Sequence, residues 1–407
     1  MMENMKKWIF WLVGILLLVI TLLFVSLIML CMQVNPLSFW YTVFISPLTN
    51  LVSFSNLIET CSVLLLTGLA VAVTFKYHIY NFGVSGQMLF SAMITYIVAV
   101  AIYKSGGHSQ WITPFLLLIA ILVGALVGLV IAILKTYFRI HEIISTLLFN
   151  FIAWEGYKGL IANSVYQHLK IPTSITNLRF SLISGPFSIS NLFSAAIIIA
   201  IIVLLIAIII FNNRTIGFKL NAIAKNPVAA KYARLNPQYQ FLIIFPISAA
   251  IAGIAGYLYF LGINNTLPSL SAPMQEGFYG IVVAALAQYT PVIILFSSFF
   301  ISLFVSPIES NAFIYLKNPE IAIIILSITV YIIGIYPFIW HYLTHSIVIK
   351  EYVVKLKKKL SSKKQQQVTN QQKIKIVNVD LKSSKLIKKD KMINSKNKMI
   401  KKKREKE

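Results

Sequence analysis

Residues Ile112-Thr-Pro-Phe-Leu-Leu-Leu-Ile-Ala-Ile-Leu-Val-Gly-Ala-Leu-Val-Gly-Leu-Val-Ile-Ala-Ile-Leu-Lys135 run for 23 positions before the first charge, Lys135. As a helix rising 1.5 Å per residue the run is about 35 Å long, enough to cross a hydrocarbon core of about 30 Å. Stretches of this kind recur along the chain. Of the 407 residues, 58% are hydrophobic and 12% charged, and mean hydropathy is +0.79. Too little polar surface remains to coat a water-soluble body of that length. The runs are continuous rather than alternating, which argues against a membrane β-barrel. The chain reads as an all-α, polytopic transmembrane helix bundle. Spans fall near residues 8–32, 55–75, 82–103, 112–134, 142–162, 191–211, 239–262, 277–290, 292–309 and 321–341, about ten in all. The turn Gln288-Tyr-Thr-Pro291 is short enough that the two spans flanking it also read as a re-entrant pair.

Charge gives the orientation. Lys6-Lys7, Lys76, Lys135, Arg139, Arg214, Lys219, Lys225, Lys231 and Arg234 fall on one side, against Lys104, Lys170, Arg179 and Lys317 on the other. The positive-inside rule makes the first side cytoplasmic and, with an even span count, both termini as well. The expected place is the cell membrane, as a multi-pass protein. The net charge of +24 is uneven: 15 Lys/Arg stand against 7 Asp/Glu through Ser346, and 21 against 5 from Ile347 onward. Residues 1–346 therefore read as the membrane domain and 347–407 as a lysine-rich, disordered tail. That tail reads first as solvated chain, and second as a segment attracted to anionic membrane lipids, at about 1 kcal/mol per lysine near the surface. It has nothing aromatic or structured that would point to nucleic acid.

No enzyme signature is present. There is no phosphate loop, no His/Cys metal spacing and no nucleophile elbow, so no catalytic residue, metal or cofactor is assigned. Cys31 and Cys61 read as small apolar filler. Three polar segments interrupt the spans. Asn81-Phe-Gly-Val-Ser-Gly-Gln87 brings Asn81, Ser85 and Gln87 to the start of the third span. In His141-Glu-Ile-Ile-Ser-Thr-Leu-Leu-Phe-Asn150, the side chains of Glu142, Thr146 and Asn150 share one helical stripe, with Ser145 on its flank. Polar groups facing lipid are costly, so that stripe is expected to meet protein or a wet pathway. Glu276-Gly-Phe-Tyr-Gly280 sets a carboxylate and two glycines at another span entrance, and Glu59 lies deep in the second span. Gly124/Gly128, Ala249/Gly253 and Ala252/Gly256 mark close helix crossings.

One polar island, Arg214 to Pro237, separates two long apolar runs. Asn226 is suited to cap a helix, Pro227 to occupy its first position, and Asn236-Pro237 to end it. A helix over 227–235 follows, too short to be stable in water without something to lean on.

These segments, together with Gly68-Leu-Ala-Val-Ala-Val-Thr-Phe-Lys76 and Gly277-Phe-Tyr-Gly-Ile-Val-Val-Ala-Ala-Leu286, resemble the permease subunits of bacterial ABC importers for nucleosides and simple sugars, of the branched-chain amino acid/ribose-type permease superfamily. The resemblance covers roughly residues 60–310 in order; Ser85, His141 and Ala287-Gln288 depart from the usual residues. It implies cytoplasmic ATP-binding subunits, a second related permease and an extracellular substrate-binding lipoprotein as partners, with ATP hydrolysed on the separate subunit. Within loop 212–238, Asn226, Pro227, Ala229, Ala230, Lys231, Ala233 and Arg234 would engage the ATPase, the alanines by close docking. Asn81, Ser85, Gln87, Glu142, Thr146 and Asn150 would wall the substrate path. The alternative is a secondary transporter driven by an ion gradient. It needs a carboxylate-lined site, for which Glu59 is the one deep acid in the sequence.

Overall fold

The computed structural model describes residues 19–106, 111–162, 179–180, 193–263, 270, 273–310, 312–313 and 320–335. Residues Gly14–Gly334 form one compact unit. The lysine-rich tail, the start of the first span and most of the loop 163–191 lie outside the described residues.

A helix occupies each of the ten apolar stretches. In chain order they are α1 (Val19–Cys31), α4 (Leu51–Phe75), α5 (Val84–Lys104), α6 (Ile112–Thr136), α7 (Glu142–Ala162), α8 (Ala196–Asn213), α11 (Tyr239–Tyr257), α12 (Glu276–Leu286), α13 (Pro291–Glu309) and α14 (Glu320–Gly334). Short helices α2 (Pro36–Trp40) and α3 (Ser46–Thr49) follow α1, joined by the π-turn Tyr41–Ile45. Helices α9 (Thr215–Lys225) and α10 (Pro227–Tyr232) form the island. The only extended pairing among the described residues is Arg179–Phe180 against Phe193–Ser194. Among the described residues, five helices are long and apolar enough to cross a membrane: α4, α5, α6, α13 and α11 with its π-turn. A sixth is added if α8 and α9, bent by 67° at their junction, count as one.

The two longest helices show opposite burial. In α4 every residue from Glu59 to Thr74 is buried, because α8, α11, α12 and α13 all pack on it. Helix α6 buries one strip, Ile112, Leu116, Ala120, Gly124, Val127/Gly128 and Ile131/Ala132, at spacings of three and four. Its other faces expose Leu118, Leu122 and Leu126. A helix apolar all round with only one buried strip suits a lipid neighbour on the rest.

The small residues do the close packing. A methyl added to Gly124 would sit on the Ala249 carbonyl, one at Gly128 on that of Phe245, and one at Gly253 on that of Ala120. Helices α6 and α11 thus meet backbone to backbone, the geometry expected where dispersion rather than water exclusion drives association. Gly256 makes the same approach to Met88 of α5.

Helix α12 has 11 residues, about 16 Å and roughly half a bilayer core. It turns directly into α13 through Gln288 and Tyr289, both at positive φ (48° and 57°). The pair is a half-length helix on a full-length one, closer to the re-entrant reading than to two equal spans.

Candidate functional site

Three polar regions occur in this apolar body. The first is the joint between α4 and α5. Asn81 is wholly buried, and its Nδ2 donates to Gln87 Oε1 (3.0 Å) and Ser248 Oγ (2.9 Å). Its Oδ1 accepts from the Gly83 N–H (3.0 Å) and Gln87 Nε2 (3.2 Å). Ser248 in turn donates to the Ala70 carbonyl on α4 (2.7 Å). Helix α5 has no side-chain cap of its own. Instead Asn150, from α7, accepts the Gly86 N–H (2.8 Å) and donates to the Phe82 carbonyl (2.9 Å). A helix start away from water must find such partners, since each orphaned N–H costs several kcal/mol, on the order of a lost hydrogen bond in hydrocarbon. Thr146 Oγ1 accepts from the Phe82 N–H (3.4 Å), and Ser85 donates to the Met274 carbonyl (2.7 Å). Gly83 and Gly86 allow the approach: a Cβ at Gly86 would lie 2.7 Å from Asn150 Cα.

Of the expected path residues, Asn81, Gln87, Thr146 and Asn150 therefore converge on the α4–α5 joint, and Ser85 on the same helix start bonds the Met274 carbonyl instead. Glu142 does not join it. It forms an ion pair with Lys135 at the α6–α7 junction, and the Lys135 ammonium stands 5.4 Å from the Phe241 ring centroid. The stripe on α7 faces protein, as its cost in lipid requires.

The second region was only half visible in sequence. A chamber of about 230 Å³ lies between α4, α11, α12 and α13, lined by Asn56, Glu59, Thr60, Tyr259, Glu276 and Glu309 among others. Thr60 Oγ1 donates to Glu309 Oε2 (2.8 Å). Glu276 shares the lining with the Tyr259 hydroxyl and the Glu309 carboxyl. Tyr259 belongs to the π-turn Leu258–Ile263 that extends α11, a wide turn of a kind frequent at functional sites. Glu59 is therefore not a solitary deep acid. Glu276 was legible at a span entrance and Glu309 was not singled out; at 217 and 250 positions from Glu59 no pattern joins them.

The third region is the island. The Asn226 side chain accepts from the Ala229 N–H (3.0 Å), with Pro227 first in the helix, as expected. The helix stops earlier than its expected end at 235. Arg234 adopts a left-handed conformation (φ 59°), so Leu235 N–H reaches the Ala230 carbonyl (2.9 Å) and Arg234 N–H that of Lys231 (3.0 Å). This crossed pair of bonds terminates a helix whatever follows. The lead-in is also helical: α9 buries Gly217, Leu220 and Ile223 against the bundle. Ala229, Lys231, Ala233 and Arg234 are exposed, whereas Ala230 is buried, so the three alanines do not share one outward face.

Fold and site together define a membrane permease: a bundle of apolar helices, a polar chamber within it, and a capped helix exposed in a basic loop. The chain belongs to the family described as branched-chain amino acid transport system / permease component, whose profile matches residues 53–334. Among its relatives is the nucleoside ABC transporter permease protein NupB of Lactococcus lactis, 29% identical over 68% of this chain and 78% of that protein. The guanosine ABC transporter permease protein NupP of Bacillus subtilis is 32% identical over 65% and 77%. The glucose ABC transporter permease protein TsgB13 of Haloferax volcanii is 26% identical over 68% and 75%. No solved structure matches the chain.

Proposed function

We propose that this chain forms the translocation path of an ABC-type importer for nucleosides or simple sugars. Separate cytoplasmic ATPase subunits drive it through α10, and a second related permease and an extracellular substrate-binding lipoprotein complete the assembly. The observation that carries the reading is its likeness to nucleoside and guanosine permeases over two thirds of its length. Charge supports the orientation: Lys135, Arg139 and the island's basic residues gather where α6 ends and α7 begins, the end opposite the chamber. Exposed Ala229, Lys231, Ala233 and Arg234 face the ATPase. Asn226 and Pro227 hold their helix in shape, and Ala230 packs it onto the bundle.

Asn81, Ser85, Gln87, Thr146 and Asn150 line the inner half of the path, with Glu142 at its rim. They bond one another or neighbouring backbone when that half is closed, and exchange these partners for substrate or water when it opens. Reconstitution with the subunits that co-purify tests the proposal. ATP-dependent nucleoside uptake that survives collapse of ion gradients supports it. Uptake needing a gradient and no ATP favours the secondary-transporter reading, which the three chamber carboxylates make worth excluding.

A further inference from the structure

The chamber is rich in acceptor oxygens. Glu59, Glu276 and Glu309 bring six carboxyl oxygens to a space with no lysine, arginine or histidine among its described lining residues. Glu276 Oε2 is cut off from solvent and has no hydrogen-bond partner among the described residues. Unmet acceptors of this kind cost free energy unless a ligand supplies the donor. The charge, however, is already reduced. Two carboxyls lining one low-dielectric space repel each other when both are charged, which favours a proton held between them, and Thr60 donates to Glu309. A partly neutralised, acceptor-rich cavity suits neutral hydroxyls better than a strong cation. Its volume of about 230 Å³ falls below the roughly 300–1,000 Å³ of sites that enclose whole drug-sized ligands. One sugar ring is the matching size.

We propose that the chamber is a subsite for the adjacent hydroxyls of one uncharged sugar ring, which it selects against phosphorylated forms. This rests on the reading of the chain as a nucleoside or sugar permease and adds to it where the ring is held. Two neighbouring hydroxyls span a carboxylate with paired, charge-assisted bonds; Glu276, whose Oε2 has no partner among the described residues, is the carboxyl that turns to receive them. A phosphate ester brings like charge into a low-dielectric space beside the carboxylates and is repelled. Nucleosides and glucose share the hydroxyl pair, which is what permeases related to both would need in common.

The test uses the full-length protein in lipid nanodiscs with the subunits that co-purify, and ligand-observed NMR with D-ribose and D-ribose 5-phosphate as probes. Ribose is expected to give saturation transfer and ribose 5-phosphate none. Glu276→Gln should weaken the ribose signal about tenfold, the scale of one hydrogen bond to a charged group. Leu122→Ala, on the exposed face of α6 away from the chamber, should leave ribose bound. Equal signals from the two sugars, no ribose signal in the parent protein, or an unchanged Glu276→Gln would each overturn the assignment. ATP-driven nucleoside uptake is measured on the same preparation. Ribose binding without uptake keeps the subsite and refutes the importer reading; uptake without ribose binding does the reverse.

Discussion

Asn150 of α7 caps a helix to which it does not belong: its Oδ1 accepts the Gly86 N–H of α5 at 2.8 Å. Asn150→Leu removes that acceptor and the donor to the Phe82 carbonyl, leaving two buried backbone groups unmet. A cost of about 2–4 kcal/mol is expected, read as a lower melting temperature in detergent. Asn150→Asp, which keeps the acceptor, should recover part of it. Gly86→Ala should be as harmful as Asn150→Leu, because the methyl meets Asn150 backbone, which cannot rotate away.

Gly124 and Gly128 predict a second outcome. Leucine at either position drives a side chain into an α11 carbonyl, so α6 and α11 must separate and lose the contact along their length. Folded yield in the membrane should fall sharply, whereas leucine at exposed Val130 should be tolerated. Size-exclusion profiles of the extracted proteins decide this.

Lys135 and Glu142 are unequal partners, with side chains 23% and 9% exposed. Lys135→Met leaves a nearly buried carboxylate without this cation and should cost about 1–3 kcal/mol, the scale of an unmet buried polar group. Lys135→Met with Glu142→Gln should cost less than Lys135→Met alone. Chemical-denaturation midpoints of the two single variants and the double variant measure the coupling; strict additivity would show the pair contributes nothing.

Coupling through α10 is best probed at its exposed positions. Ala229→Glu with Ala233→Glu is expected to abolish ATP-driven uptake with membrane insertion unchanged. Ala230 is a poorer probe, since a large residue there disturbs the helix's own seat. Arg234→Asn keeps a residue that tolerates the left-handed conformation while removing the charge, so lost uptake in that variant with normal insertion assigns a role to the guanidinium itself.

Much of this was legible in one dimension. Hydropathy placed the helices because crossing a bilayer is a local requirement on consecutive residues. The Asn226-Pro227 cap was legible for the same reason: its bond closes within four residues. The early end of α10 was not, since nothing in Ala233-Arg234-Leu235 signals a left-handed arginine before the expected stop at Asn236-Pro237. The polar motif residues were recognisable as a set, but their partners were not: Asn81 meets Ser248 and Ser85 meets Met274, 167 and 189 positions away.

The sequence by itself determined that the chain is a bundle of membrane helices with one capped helix in a basic loop, because those properties depend on neighbours along the chain. Only the tertiary structure decided that Glu59, Glu276 and Glu309 share a chamber and that Ala230 faces inward. Both depend on which helices pack together and at what rotation, and that is set by small-residue contacts such as Gly124 on Ala249 and Gly280 on Thr67, between positions far apart in the chain.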